Sequence, residues 1–128
     1  MTEPLLRVEA VAKTYEDGTV AALRGVSFQL AAGEVVGLTG PSGCGKSTLL
    51  SLIGLLDRPT SGRIVVAGRD LGQVRDPYGY RAGTVGFVFQ DHHLLPAMTL
   101  LENVEAPMIA LRVPRAQRRV RAMALLEE

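Results

Sequence analysis

Apolar and polar residues alternate from Leu5 to Tyr15, the period of a strand with one covered face. Asp17-Gly18 follows as a hairpin turn signal. A second alternating run, Val26-Ser27-Phe28-Gln29-Leu30, ends at Ala32-Gly33, so the chain is expected to open with antiparallel β structure. The pattern then changes: Glu34-Val35-Val36-Gly37-Leu38-Thr39 reads as a buried strand, and Ser47 to Ile53 as a helix leaving the loop between them. A breaker cluster, Asp57-Arg58-Pro59-Thr60-Ser61-Gly62, precedes a short strand, Arg63 to Val66, closed by Ala67-Gly68. Arg69 to Ala82 has no clear period and reads as loop with about one helical turn. Gly83-Thr84-Val85-Gly86-Phe87-Val88-Phe89 is β-branched and aromatic on both faces, which predicts a buried parallel strand with Gln90 at its carboxyl end. Thr99 is placed to cap a helix over 100–111, with Glu102 completing a capping box. Pro114 opens a last helix carrying Ala116, Val120, Met123 and Leu126 at helical spacing.

At 128 residues and 47% hydrophobic, the chain suffices for one core, as a single domain or as part of a larger one. A formal net charge of +1 provides no overall field toward nucleic acid or an acidic membrane surface. Arg115, Arg118, Arg119 and Arg121 have no interleaved aromatic residue to stack bases, so they read as a solvated face and no nucleic-acid partner is expected. The single Cys44 suits a reducing compartment and reads as a small residue tolerated in its loop. His92 and His93 lack spaced acidic or thiol partners for a metal site. With no leader-like start and no apolar run of bilayer length, the expected location is cytoplasmic.

The chemistry concentrates in Gly40-Pro41-Ser42-Gly43-Cys44-Gly45-Lys46-Ser47-Thr48. This is the phosphate-cradling pattern G-x-x-x-x-G-K-[ST], or P-loop. Its glycines let successive N–H groups turn inward around an anion. Lys46 adds a mobile cation for β- and γ-phosphates, and the Ser47 hydroxyl is placed for Mg²⁺. The helix that follows directs the positive end of its dipole at the same point. Only Lys13 and Lys46 are lysines in a chain that otherwise uses arginine, and Lys46 stands where a compact point charge is wanted. Ligands of open α/β sheets collect at the strands' carboxyl ends, which would direct Gln90 to the same crevice. Tyr15 reads either as a half-buried strand tyrosine or as a ring that stacks on a base.

Together with Ala22-Leu23-Arg24-Gly25-Val26-Ser27-Phe28 and Gly86-Phe87-Val88-Phe89-Gln90, the order and spacing of these features resemble the ATP-binding subunit of an ABC transporter. Ile53 to Gly62 and Leu94 to Val104 are similar to the bacterial subgroup of lipoprotein-releasing and macrolide-export ATPases. The resemblance implies an α/β P-loop NTPase fold of the ABC type: an antiparallel β subdomain, parallel core strands and the P-loop helix. It implies ATP and Mg²⁺ as ligands and hydrolysis of ATP to ADP and phosphate as the activity. By the same resemblance Tyr15 stacks on adenine, and Gly40 and Ser42 to Thr48 (Gly43, Cys44, Gly45, Lys46 and Ser47 among them) hold the phosphates. Lys46 and Gln90 serve the chemistry, and Ser47 and Gln90 serve the metal. The segment after Gln90 matches the docking surface for a membrane-spanning permease subunit. A second ATPase subunit would face the first head to tail, with the assembly peripheral on the cytoplasmic face of the inner membrane.

The sequence also departs from that family. Residues 1–128 contain no Leu-Ser-Gly-Gly-Gln signature, no apolar strand ending in Asp-Glu and no histidine after it. They therefore read as a partial nucleotide-binding domain whose C-terminal half is absent. A general base supplies about 10² to 10⁴ in rate, so these residues alone are expected to bind ATP without appreciable turnover. Two other readings remain open at this point. One is a module that binds ATP or docks on a transporter without hydrolysis; the other is a different P-loop enzyme, such as a small kinase or GTPase.

Overall fold

The computed structural model describes residues 3–128. These fall into two compact units, one up to Pro77 and one from Tyr78 onward. In the first, β1 (Leu6–Tyr15) and β2 (Val20–Leu30) form an antiparallel pair. The 3-10 turn Glu16–Gly18 joins them where the Asp-Gly signal predicts a reversal. After the P-loop comes α1 (Lys46–Ile53), and then β3 (Ser61–Val66) and the two-residue β4 (Arg69–Asp70). The sheet order is β2-β1-β3-β4 with every pairing antiparallel.

Its core is small and aliphatic: Leu6, Val8 and Val11 of β1, Leu23 of β2, Leu49 and Leu52 of α1, and Ile64 to Val66 of β3 are buried. Val8 and Val11 are three residues apart, which strict alternation does not allow on one face. A bulge at Ala10, whose φ is 46°, resets the register so that both reach the interior. Gly62 lies opposite the bulge with φ of 87°, and a Cβ there would overlap the Ala10 carbonyl. The β3–β4 reversal at Ala67-Gly68 has φ of 48° and 74°, the two left-handed residues of a type I′ turn.

Helix α1 ends in a Schellman motif. The Leu56 N–H donates to the Ser51 carbonyl at 2.9 Å and the Leu55 N–H to the Leu52 carbonyl at 3.1 Å. Leu55 adopts φ of 54° there, a conformation usually left to glycine, and its side chain is buried. Burying a leucine offsets the one or two kcal/mol, roughly, that the left-handed backbone costs.

The second unit contains α3 (Leu100–Ala110) and α4 (Arg115–Glu127), which pack on each other with Met108 and Ala122 buried. The capping box forms as expected: the Glu102 N–H donates to the Thr99 hydroxyl, and the Glu102 carboxylate accepts from the Thr99 N–H at 2.8 Å. The Thr99 N–H, and after it the Thr99 hydroxyl, which donates to the same carboxylate at 3.1 Å, hold the Glu102 carboxyl below its ordinary pKa. Asn103 clasps the loop before α3. Its amide oxygen accepts from the Leu95 N–H at 2.7 Å, and its amide nitrogen donates to the carbonyls of Leu95, Met98 and Thr99.

Three expectations are corrected. Glu34 to Thr39 forms no strand: it follows a turn in which the Glu34 carboxylate accepts from the Ala31 N–H at 2.6 Å, and Val35 is fully exposed. Gly83 to Phe89 is not a strand either: α2 (Pro77–Gly83) takes in its first residue, and Val88 is fully exposed. Gln90 therefore lies at a bend and at no strand's end. Parallel core strands are thus absent among the described residues, because a strand exists only through a neighbour's N–H and C=O groups and neither segment has one there. Arg69 to Ala82 is more ordered than expected, with β4, a 3-10 turn at Leu71–Gln73 and α2. Asp70 caps that turn by accepting from the Gly72 N–H at 2.9 Å while it pairs with Arg63 at 2.8 Å.

Candidate nucleotide-binding site

The loop from Gly40 to Gly45 delivers the chain to α1 without a side-chain cap. Gly45 is the N-cap, in the left-handed region with φ of 97°. A Cβ there would stand 2.5 Å from the Ala22 carbonyl oxygen and 2.7 Å from Leu23 Cδ2. The helix start is therefore pressed directly onto β2, and only glycine allows that approach. Since Gly45 offers no capping oxygen, the first N–H groups of α1 point out of the helix end, toward the loop's mouth. That is the donor set a phosphate group fits.

Lys46 is the first residue of α1, and its ammonium folds back across the loop. It donates to the Gly40 carbonyl at 2.7 Å and the Pro41 carbonyl at 2.8 Å, and it approaches Cys44 Sγ at 3.4 Å. The cation is thus held over the mouth of the cradle by weak, replaceable acceptors. Ser42, Gly43, Cys44 and Ser47 are exposed, and Gly45 and Thr48 partly so. Beside the loop an open depression of about 390 Å³ runs from Gly43 and Cys44 to Ala22 and Arg24 of β2. Among the described residues no cluster of three or more His, Cys, Asp or Glu could hold a metal ion. A divalent ion here would rely on a hydroxyl and on phosphate oxygens, as Mg²⁺ commonly does.

Tyr15 ends β1, with 39% of its surface exposed. Its hydroxyl donates to Asp57 Oδ2 at 3.0 Å, and the Lys13 ammonium sits 4.9 Å from its ring centroid. Lys13 in turn donates to Asp57 Oδ1 at 2.8 Å and to the Arg58 carbonyl at 2.7 Å. The Asp57 carboxyl is held below its ordinary pKa, chiefly by the Lys13 hydrogen bond and further by the Arg58 N–H and the Tyr15 hydroxyl. Asp57 and Lys13 are additions to the residues singled out from the sequence. Their only signal there was that Lys13 is, with Lys46, one of only two lysines in the chain.

One unit therefore holds the loop, Lys46, Ser47, Thr48 and Tyr15. Gln90 belongs to the second, exposed at the bend after Phe89. Its part in the site rests on its place in the sequence pattern.

A family model described as ABC transporter matches residues 23–128. The chain is 54% identical over 113 residues to the lipoprotein-releasing system ATP-binding protein LolD of Anaeromyxobacter dehalogenans, covering 85% of this chain and 47% of that protein. To the macrolide export ATP-binding/permease protein MacB of Nitrobacter winogradskyi it is 47% identical over 130 residues, 98% of this chain and 20% of that one. Among solved structures it is similar to the ATP-binding cassette MJ0796 in a dimeric post-hydrolysis state bound to ADP and Pi. The TM-score is 0.84 at 38% identity, over 95% of this chain and 56% of that one. The chain thus spans about half the length, or less, of these relatives. Since the match takes in the P-loop, α1 and all that follows, and the fold agrees with a solved cassette, the chain belongs to the ABC transporter family.

Proposed function

We propose that residues 1–128 are a partial nucleotide-binding domain, the ATP-binding portion of a transporter's ATPase subunit. The observation that carries this reading is the Lys46 ammonium folded over an uncapped helix start, on acceptors that phosphate oxygens can replace. Gly40 and Ser42 to Thr48 hold the phosphates through backbone N–H groups, the Lys46 cation and the Thr48 hydroxyl. Ser47 and Gln90 hold Mg²⁺, with Gln90 also near the attacking water. Tyr15 stacks on adenine. Bound Mg-ATP supplies the phosphoanhydride whose hydrolysis drives transport.

The relatives' names support the transport role: one is an ATP-binding protein of a lipoprotein-releasing system, the other an ATP-binding/permease protein for macrolide export. A membrane-spanning permease subunit docks on the segment after Gln90, where Leu94, Leu95, Met98 and Leu100 are exposed. A second ATPase subunit pairs head to tail, a reading supported by the dimeric state of the similar cassette. No helix among the described residues is long and apolar enough to cross a membrane. Attachment to the cytoplasmic face of the inner membrane then comes through the permease.

Titration of a fluorescent ATP analogue with Mg²⁺ tests the site. Lys46→Ala is expected to weaken binding roughly 10- to 100-fold, the range of a lost charge-assisted hydrogen bond. Equal affinity in folded wild type and variant would sink the assignment.

A further inference from the structure

Each end of α1 lies beside one of the chain's two lysines: Lys46 is the helix's own first residue, and Lys13 reaches across from β1 to the residues after its end. Lys46 serves the loop, while Lys13 lies beside Tyr15 and the residues that follow the helix. We infer that Asp57 and Lys13 are positioning residues that hold the Tyr15 ring ready for the adenine base, so that the exit of the P-loop helix sets affinity for the base. This rests on the reading of Tyr15 as the adenine platform.

The geometry distributes the contacts without competition. Asp57 Oδ1 accepts from Lys13 at 2.8 Å and from the Arg58 N–H at 2.7 Å, which leaves Oδ2 for the Tyr15 hydroxyl at 3.0 Å. The Schellman end of α1 fixes where Asp57 emerges. The chain then runs beside β1: the Thr60 N–H donates to the Ala12 carbonyl at 2.9 Å, and the Thr14 N–H to the Thr60 hydroxyl at 3.0 Å. Residues 57–60 and 12–15 thus form one seam, and the carboxylate cannot drift without breaking it.

Lys13 completes the arrangement. Its side chain is only 12% exposed, and its compact ammonium is bound at once to a carboxylate, a carbonyl and the ring face. A planar guanidinium would not meet three such partners within that space. The ammonium takes up one face of the ring, and the remaining exposure leaves room for a base to lie against it. A ring already held in its binding rotamer loses less freedom when the ligand arrives, which raises affinity without any new contact.

Two ligands separate this inference from the reading beneath it: Mg-ATP, and Mg-tripolyphosphate, which has phosphates but no base. Asp57→Ala is expected to lower Mg-ATP affinity about three- to tenfold and leave tripolyphosphate affinity unchanged. Asp57→Asn, which keeps the shape and one oxygen for the Tyr15 hydroxyl, is expected to fall between wild type and Asp57→Ala, and it serves if the alanine variant does not fold. In a Tyr15→Ala background, replacing Asp57 should have no further effect on ATP. Equal losses for both ligands would mean that Asp57 acts on the loop or the fold, and would overturn the inference. So would unchanged ATP affinity in both Asp57 variants while Tyr15→Ala weakens binding, although the adenine platform itself would then stand. An unaffected Tyr15→Ala removes the platform and the inference together.

Discussion

At its N-terminal end α1 meets the rest of the site through backbone: an uncapped helix start, a glycine against the Ala22 carbonyl and one lysine laid over the loop. At the other end the same helix is tied to β1 by side chains, with Tyr15 and Asp57 42 residues apart in the chain and Lys13 and Asp57 44 apart. The difference suits what each end handles. Phosphate is a compact anion that fixed N–H groups and one cation satisfy from any direction. A base offers a flat face, and a flat face is gripped only by a ring held at a set angle. The loop end therefore tolerates no added atom at Gly45, whereas the base end is built from replaceable side chains whose loss should be partial.

The sharpest way to break this contrast is Gly45→Ala. The left-handed backbone and the overlap with Ala22 and Leu23 together should cost about 2–4 kcal/mol of stability. Urea unfolding reads this directly, and an unchanged midpoint would mean that the helix start can move off β2. Next is Tyr15→Ala, expected to weaken Mg-ATP binding by about 1–2 kcal/mol through lost stacking, with Tyr15→Phe losing less because only the hydroxyl's anchor goes. Calorimetric titration checks both, and a greater loss for phenylalanine than for alanine would show that the ring is not the platform.

The smallest effect is on pH dependence. Because the folded-state pKa of Asp57 lies below the unfolded value, its contribution is present above about pH 4 and is lost as pH falls through the folded value. Its partial exposure keeps that contribution under about 1 kcal/mol. Thermal midpoints of wild type and Asp57→Asn should differ by a constant amount from pH 7 to pH 5 and converge in more acidic solution. A gap that grows on acidification would mean that folding raises the Asp57 pKa instead of lowering it.

Legibility in the sequence followed the range of the contacts. The loop, α1 and the Thr99–Glu102 capping box depend on residues a few places apart, and spacing alone exposes them. The Asp57 seam was invisible for the opposite reason: Asp57-Arg58-Pro59 reads locally as a helix breaker, and its partners come from β1. Ala10 reads as an ordinary strand position, since nothing local marks the bulge that Gly62 accommodates across the ladder. Composition misled over residues 34–39 and 83–89, where both-faced apolar character reports a preference for burial while a strand needs a partner's backbone. In the segment after β3, the Ala67-Gly68 turn and the Asp70 cap impose order that no hydrophobic period announces.

The clasp made by Asn103 has a mechanical consequence. Four hydrogen bonds from one amide to the main chain at Leu95, Met98 and Thr99 leave the loop before α3 little slack of its own. A load applied at Leu95 or Met98 is then carried into the helix as displacement of a stiff arm, where an unclasped loop would absorb it by bending. Asn103→Ala would turn that arm into a hinge at its root while leaving every exposed side chain of the segment in place.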